Sequence, residues 1–184
     1  MKRIVVLVLS LLLLAALSLS VVSCATTAYW SEQKKQTKGN QSDITKANGS
    51  EKYIVYAALD SSGALIPAAS GVSTAAYAVV GYTGLVAELV IPAQYDGKNV
   101  TKVIAAAPYS DYKCYRNGAA YTGDDARLQN NKVVTSIVFG ENVTFVGAGV
   151  CMGMTNLATV YFDRTSGFTY DGAFTGLSPV ITHK

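Results

Sequence analysis

Residue types that do chemistry are few in this chain, and they lie far apart. His183 is the only histidine, one residue from the last, where nothing holds the partners that a general base or a metal ligand needs. Asp124-Asp125 is the only adjacent acidic pair, and adjacent carboxylates on a loop are ordinarily solvated; Asp163-Arg164 reads as a surface pair. Gly147-Ala148-Gly149-Val150-Cys151-Met152-Gly153 approaches a dinucleotide fingerprint, but the third glycine comes one residue late and no βαβ pattern surrounds it. The sequence contains no Ser/His/Asp set, no metal-spaced Cys/His cluster and no phosphate loop. These features give no reason to expect an enzyme, a cofactor or a metal. Recognition chemistry is more concentrated. Between Pro108 and Tyr121 stand Tyr109, Tyr112, Tyr115, Arg116 and Tyr121, and Tyr and Arg are enriched at binding hot spots. These five are the candidate protein-binding residues. The competing reading is that the rings cover the side of the fold, since tyrosine buries well when its hydroxyl finds a partner.

The first residues say where such a surface would work. Met1-Lys2-Arg3 precedes an almost unbroken apolar run to Leu19 and then Ser20-Val21-Val22-Ser23-Cys24, the pattern of a secretory signal. Val21-Val22-Ser23-Cys24 resembles the lipobox of bacterial lipoproteins. That resemblance implies removal of residues 1–23, lipid on Cys24, and anchoring outside the cytoplasm in the cell membrane or outer membrane. Two alternatives stand beside it. Ile4 to Val22 nearly reaches the roughly 20 apolar residues that span a bilayer, so the segment could remain as an anchor. Ordinary signal cleavage would instead leave Cys24 as a free thiol. Without Lys2 and Arg3, 13 basic residues face 12 acidic ones, a net charge of about +1. A nucleic-acid binder needs a clustered basic face, so that class is excluded. Cys114 and Cys151 remain, and an exported protein can pair them, but sequence does not give their separation.

Residues 24–52 are polar, with few large apolar side chains, and read as a flexible tether. Beyond them the chain repeats itself. Val134-Thr135-Ser136-Ile137-Val138-Phe139 recurs as Leu157-Ala158-Thr159-Val160-Tyr161-Phe162, 23 residues later. Val150-Cys151-Met152-Gly153 recurs as Ala173-Phe174-Thr175-Gly176, and Phe145 as Phe168, at the same offset of 23. Asn99 to Val103 matches Asn142 to Val146 at 43, and Val86 to Ile91 matches Val134 to Phe139 at 48. The excess over 23 falls in an insertion at about 109–130 and in the turn-rich stretch Ala93 to Lys98. Pairs two apart, Ile137/Phe139 and Val160/Phe162, put both side chains on one face of a strand. One unit cannot bury its apolar side alone, so neighbours must stack.

The units resemble the BspA-type leucine-rich repeats of bacterial surface proteins. The residues carrying the resemblance are Leu89-Val90-Ile91-Pro92, Tyr95 to Val103, Asn142 to Gly147, Asn156 to Phe162 and Gly172 to Gly176. The family's usual Ala-Phe pair is replaced by Ala107-Pro108 in the first copy and Val150-Cys151 in the second. The resemblance implies a β-rich fold, a short leucine-rich-repeat solenoid of about three repeats of 23 residues over 83–184. Residues 53–82, with strand-forming runs at Tyr53 to Ala57 and Tyr77 to Tyr82, are expected to form an N-terminal capping hairpin. Brief helical or 3₁₀ pieces are expected near Val150 to Met154 and Ala173 to Leu177. The last copy is expected to be poorly capped, and so to fray or to be covered by a partner. The resemblance also implies a function: a lipid-anchored cell-surface protein that binds another protein, as in adhesion. The alternative is a structural envelope scaffold, or a truncated repeat protein, with no external ligand. The small number of repeats counts against a large concave binding surface and leaves a homo-oligomer open.

Overall fold

A computed structural model describes residues 48–184. Secondary structure there is almost wholly strand, with single 3₁₀ turns at Ser50–Tyr53 and Tyr109–Asp111. In chain order the strands are β1 Ile54–Leu59, β2 Ala76–Tyr82, β3 Glu88–Ile91, β4 Gln94–Tyr95, β5 Lys98–Val103, β6 Cys114–Arg116, β7 Ala119–Ala120, β8 Ser136–Phe139, β9 Phe145–Val146, β10 Thr159–Phe162 and β11 Val180–His183.

β3, β8, β10 and β11 form one parallel sheet in that spatial order. Its register sets Leu89 beside Ile137, Ile137 beside Val160 and Val160 beside Ile181. The first two steps are the sequence offsets of 48 and 23; the last, Val160 to Ile181, is 21. A second run of parallel pairing joins β2 to β5 and β5 to β9, with Lys102 beside Phe145 and Val103 beside Val146, the sequence offset of 43. It continues through a bridge from Phe145 to Thr169, one residue past the Phe168 that the repeat aligns with Phe145. Phe168 instead joins an aromatic stack with Phe162, centroids 4.5 Å apart, while Phe162 stacks on Phe139 at 4.6 Å. Ring stacking along the ladder favours that placement over strict register.

Between the two runs the chain turns, and the turns also stack. The Gly149 N–H donates to the Gly172 carbonyl at 2.8 Å, and the Cys151 N–H to the Ala173 carbonyl at 3.1 Å. The helical or 3₁₀ pieces expected near Val150 to Met154 and Ala173 to Leu177 are single turns, closed by 3₁₀-like bonds such as the Met152 N–H to the Gly149 carbonyl (3.0 Å) and the Leu177 N–H to the Phe174 carbonyl (2.9 Å). Gly149 and Gly153 lie at φ 68° and 76°, and their repeat equivalents Gly172 and Gly176 at 70° and 77°. Left-handed backbone every fourth residue ends a helix after a single turn, and glycine adopts it without steric cost. Asparagine stacks in the same way: the Asn142 side chain donates to the Asn99 side-chain oxygen at 3.1 Å, the same repeat position 43 residues away.

β1 and β2 form the antiparallel hairpin, Ile54 beside Tyr82 and Leu59 beside Ala76. Every residue of β1 is buried, so both faces are covered. Ile54, Tyr56 and Ala58 enter the main core with Leu89, Ile137, Phe139, Val160 and Phe162. Val55, Ala57 and Leu59 face a second core with Val80, Tyr109, Cys114, Tyr121 and Ala126. The insertion supplies that second cover. β6 pairs antiparallel with β1, and β6 and β7 form a hairpin around Asn117 and Gly118, both at positive φ (49° and 79°). That is the two-residue turn whose twist suits a hairpin.

Residues 48–52, expected to end the tether, are packed in place. Ser50 is fully buried, and its hydroxyl accepts from the Val90 N–H at 3.0 Å. The Asn48 side chain donates to the Glu88 carbonyl at 2.9 Å. These bonds occupy the outer edge of β3, which would otherwise expose unpaired main-chain groups. Residues 1–23, Cys24 and residues 24–47, the expected signal, lipid site and tether, lie outside the described residues. Among the described residues no helix is long and apolar enough to cross a membrane.

Candidate functional site

The five candidate binding residues occupy different layers. Tyr109 is buried against Tyr121, ring centroids 5.7 Å apart, and its hydroxyl donates to the Val80 carbonyl at 3.2 Å. Burial pushes its pKa up to about 12. Tyr121 is also raised to about 12, first by burial and then by the hydrogen bond its hydroxyl donates to Asp125. The same bond holds the Asp125 carboxyl below the ordinary range. Arg116 covers the outer side of this pair. Its guanidinium carbon stands 4.8 Å from the Tyr121 ring centroid, and one nitrogen donates to the Thr83 hydroxyl at 3.2 Å. Tyr109 and Tyr121 thus belong to the interior of the second core. Tyr112, Tyr115 and Arg116 are half-buried, and they are the part of the set that reaches the surface.

Tyr115 faces the opposite way from Cys114, as alternation along β6 requires. It joins a group of rings that sequence reading did not assemble. Tyr77 lies edge-on to Tyr115 at 6.2 Å and to Tyr95 at 4.9 Å, and Tyr95 stacks on Tyr56 at 3.9 Å. The Tyr95 hydroxyl accepts from the Gly118 N–H at 3.0 Å, tying the β4–β5 turn to the tip of the β6–β7 hairpin. The Tyr56 hydroxyl is buried and has no hydrogen-bond partner among the described residues, and burial drives its pKa far above the usual tyrosine value. The one signal in the sequence is Asn117-Gly118, a strong hairpin dipeptide, which sets Tyr115 beside Ala120 but does not say that β6 pairs with β1.

Comparison with protein families, with characterised proteins and with solved structures finds no match.

The remaining chemistry-bearing residues are dispersed. Among the described residues Cys114 and Cys151 form no disulfide, and both are buried, Cys114 in the second core and Cys151 in the main one. Burial raises their thiols to about 11 and about 12, so neither is a nucleophile near neutral pH. Asp163 pairs with Lys184 at 3.1 Å, not with the adjacent Arg164. Arg164 turns instead to the carbonyls of Ser166 (2.8 Å) and Glu141 (3.0 Å). His183 lies on β11 beside Phe168, ring centroids 6.1 Å apart. Among the described residues no group of three or more His, Cys, Asp or Glu is placed to hold a metal ion.

Proposed function

We propose that the chain is a lipid-anchored protein of the cell envelope whose folded part is a short leucine-rich-repeat solenoid of BspA type that binds a protein partner. The observation that carries the solenoid reading is the agreement between sequence offset and strand register. Residues 48, 43 and 23 apart in the repeat are neighbours across the parallel pairs. The anchor rests on the signal-like start and on Cys24. In this reading the contact residues are the half-buried Tyr112, Tyr115 and Arg116, the last two on β6 and Tyr112 on a single bridge to Pro67. Rigid tyrosines bind with a small entropy loss.

A scaffold without an external ligand is the second reading, and the burial of Tyr109 and Tyr121 favours it: the insertion then serves to close the second core. Protease shaving of intact cells, with blotting for this chain and a Cys24→Ala variant alongside, separates the two. Removal from unbroken cells, with release of the variant, supports an anchored surface protein. Protection until lysis sinks the surface role and leaves the scaffold. Retention of the variant in the membrane sinks the lipid anchor.

A further inference from the structure

Between the two ends of the insertion lies an open pocket of about 170 Å³. Ala105, Ala106 and Ala107 line one part of it, and Arg127, Leu128 and Gln129 another. The three alanines follow β5 but belong to no strand; Ala105 and Ala107 are exposed and Ala106 half-buried, and among the described residues no hydrogen bond reaches their N–H and C=O groups, which stand open to solvent or to an incoming chain. Arg127 is exposed and forms no ion pair among the described residues. Gln129 is fixed, its side-chain amide donating to the Gly149 carbonyl at 3.0 Å. Asp125, one of the carboxylates of this region, is engaged by the Tyr121 hydroxyl.

We propose that this pocket binds the free C-terminal end of a peptide with small side chains, its carboxylate on the Arg127 guanidinium and its main chain along Ala105 to Ala107. Three features select that occupant. Unpaired main-chain donors and acceptors are satisfied by another main chain, the basis of strand addition to a protein surface. Alanine walls let a backbone approach closely, and the size of the space, not the alanines, limits the side chains that enter with it. A guanidinium matches a carboxylate through two parallel hydrogen bonds. The space is well below the ~300–1,000 Å³ typical of pockets for drug-sized ligands, so the occupant is one or two small residues. The site requires neither the lipid anchor nor the tyrosine surface.

The test is a titration of the full chain in detergent micelles with tri-L-alanine and with its C-terminal amide, followed by backbone amide shifts. Saturable shifts are expected at Ala105 to Ala107 and at Leu128 and Gln129. Affinity is expected to fall about tenfold or more on amidation of the peptide or in Arg127→Gln, because charge-assisted hydrogen bonds are about twice as strong as neutral ones. Arg127 is exposed, so the variant keeps the spectrum of the folded protein. No saturable shift at those amides, or equal affinity for acid and amide, or unchanged affinity in Arg127→Gln, each overturns the proposal.

Discussion

The molecule has two cores built on different logic, with one hairpin between them. The main core repeats: Leu89, Ile137 and Val160 stand beside one another in parallel register, and Phe139, Phe162 and Phe168 stack across successive passes of the chain. Each pass covers the one before. The second core does not repeat. It forms because the insertion returns across β1 and lays Tyr109, Cys114, Tyr121 and Ala126 against the far face of the hairpin. The contact is so close that a Cβ on Gly81 would stand 1.7 Å from the Ala126 carbonyl oxygen. A periodic core spreads its stability over many equivalent contacts, whereas an inserted cover depends on a few particular ones. The second core should therefore open without the first.

The largest effect should come from breaking the shared ladder. Phe162 is fully buried, and Phe162→Ala is expected to cost about 3–5 kcal/mol, read as a fall in the denaturant midpoint with all probes moving together. Loss of the β10–β11 signals alone, with β3 and β8 intact, would show that the passes unfold separately. Next is Gly81→Ala, which forces the insertion away from β2 at about 1–3 kcal/mol, the usual cost of overpacking. Its signature is local. Cys114 should become reactive to a thiol reagent before Cys151, and simultaneous reaction of both would contradict two separable cores.

A smaller change is Tyr109→Phe, which removes the hydroxyl bonded to Val80 for about 0.5–1.5 kcal/mol, measured by chemical denaturation. It should speed amide exchange in the insertion and leave β8 and β10 unchanged. Alkaline titration tests the same burial. Tyr109 and Tyr121 have folded values near 12 against an ordinary value of 10.0. Below pH 10 both are protonated in folded and unfolded chains, and stability is full. Between pH 10 and 12 the unfolded chain releases these protons first, so stability falls as pH rises. A Tyr109→Phe/Tyr121→Phe variant should show a shallower fall over that window. An identical slope would place these hydroxyls in water.

Much of the main core was legible, because a repeat writes its register into the sequence. Ile137 and Val160 are 23 apart and become neighbours; Asn99 and Asn142, 43 apart, share a hydrogen bond. That Gly149 and Gly153 confine these pieces to single turns is not legible, because spacing alone does not reveal a left-handed φ. The insertion was harder. Its tyrosines have the composition of a binding surface, and composition does not say which face of a strand meets a core. Cys114 faces the second core and Tyr115, the next residue, the main one. Residues 48–52 were similarly hidden: a polar run with one serine gives no sign that Ser50 will close the edge of β3.

By itself the sequence determined the offsets of 48, 43 and 23 at which apolar strands and turn residues return, and the scarcity of residues suited to catalysis. Only the tertiary structure decided that the hairpin is covered on both sides, that Tyr109 and Tyr121 turn inward, and that Ala105 to Ala107 and Arg127 line one pocket. The physical reason is that periodicity is a local property carried by each repeat. Closure of an insertion over a sheet, by contrast, depends on contacts between residues far apart in the chain, at positions that no repeat marks.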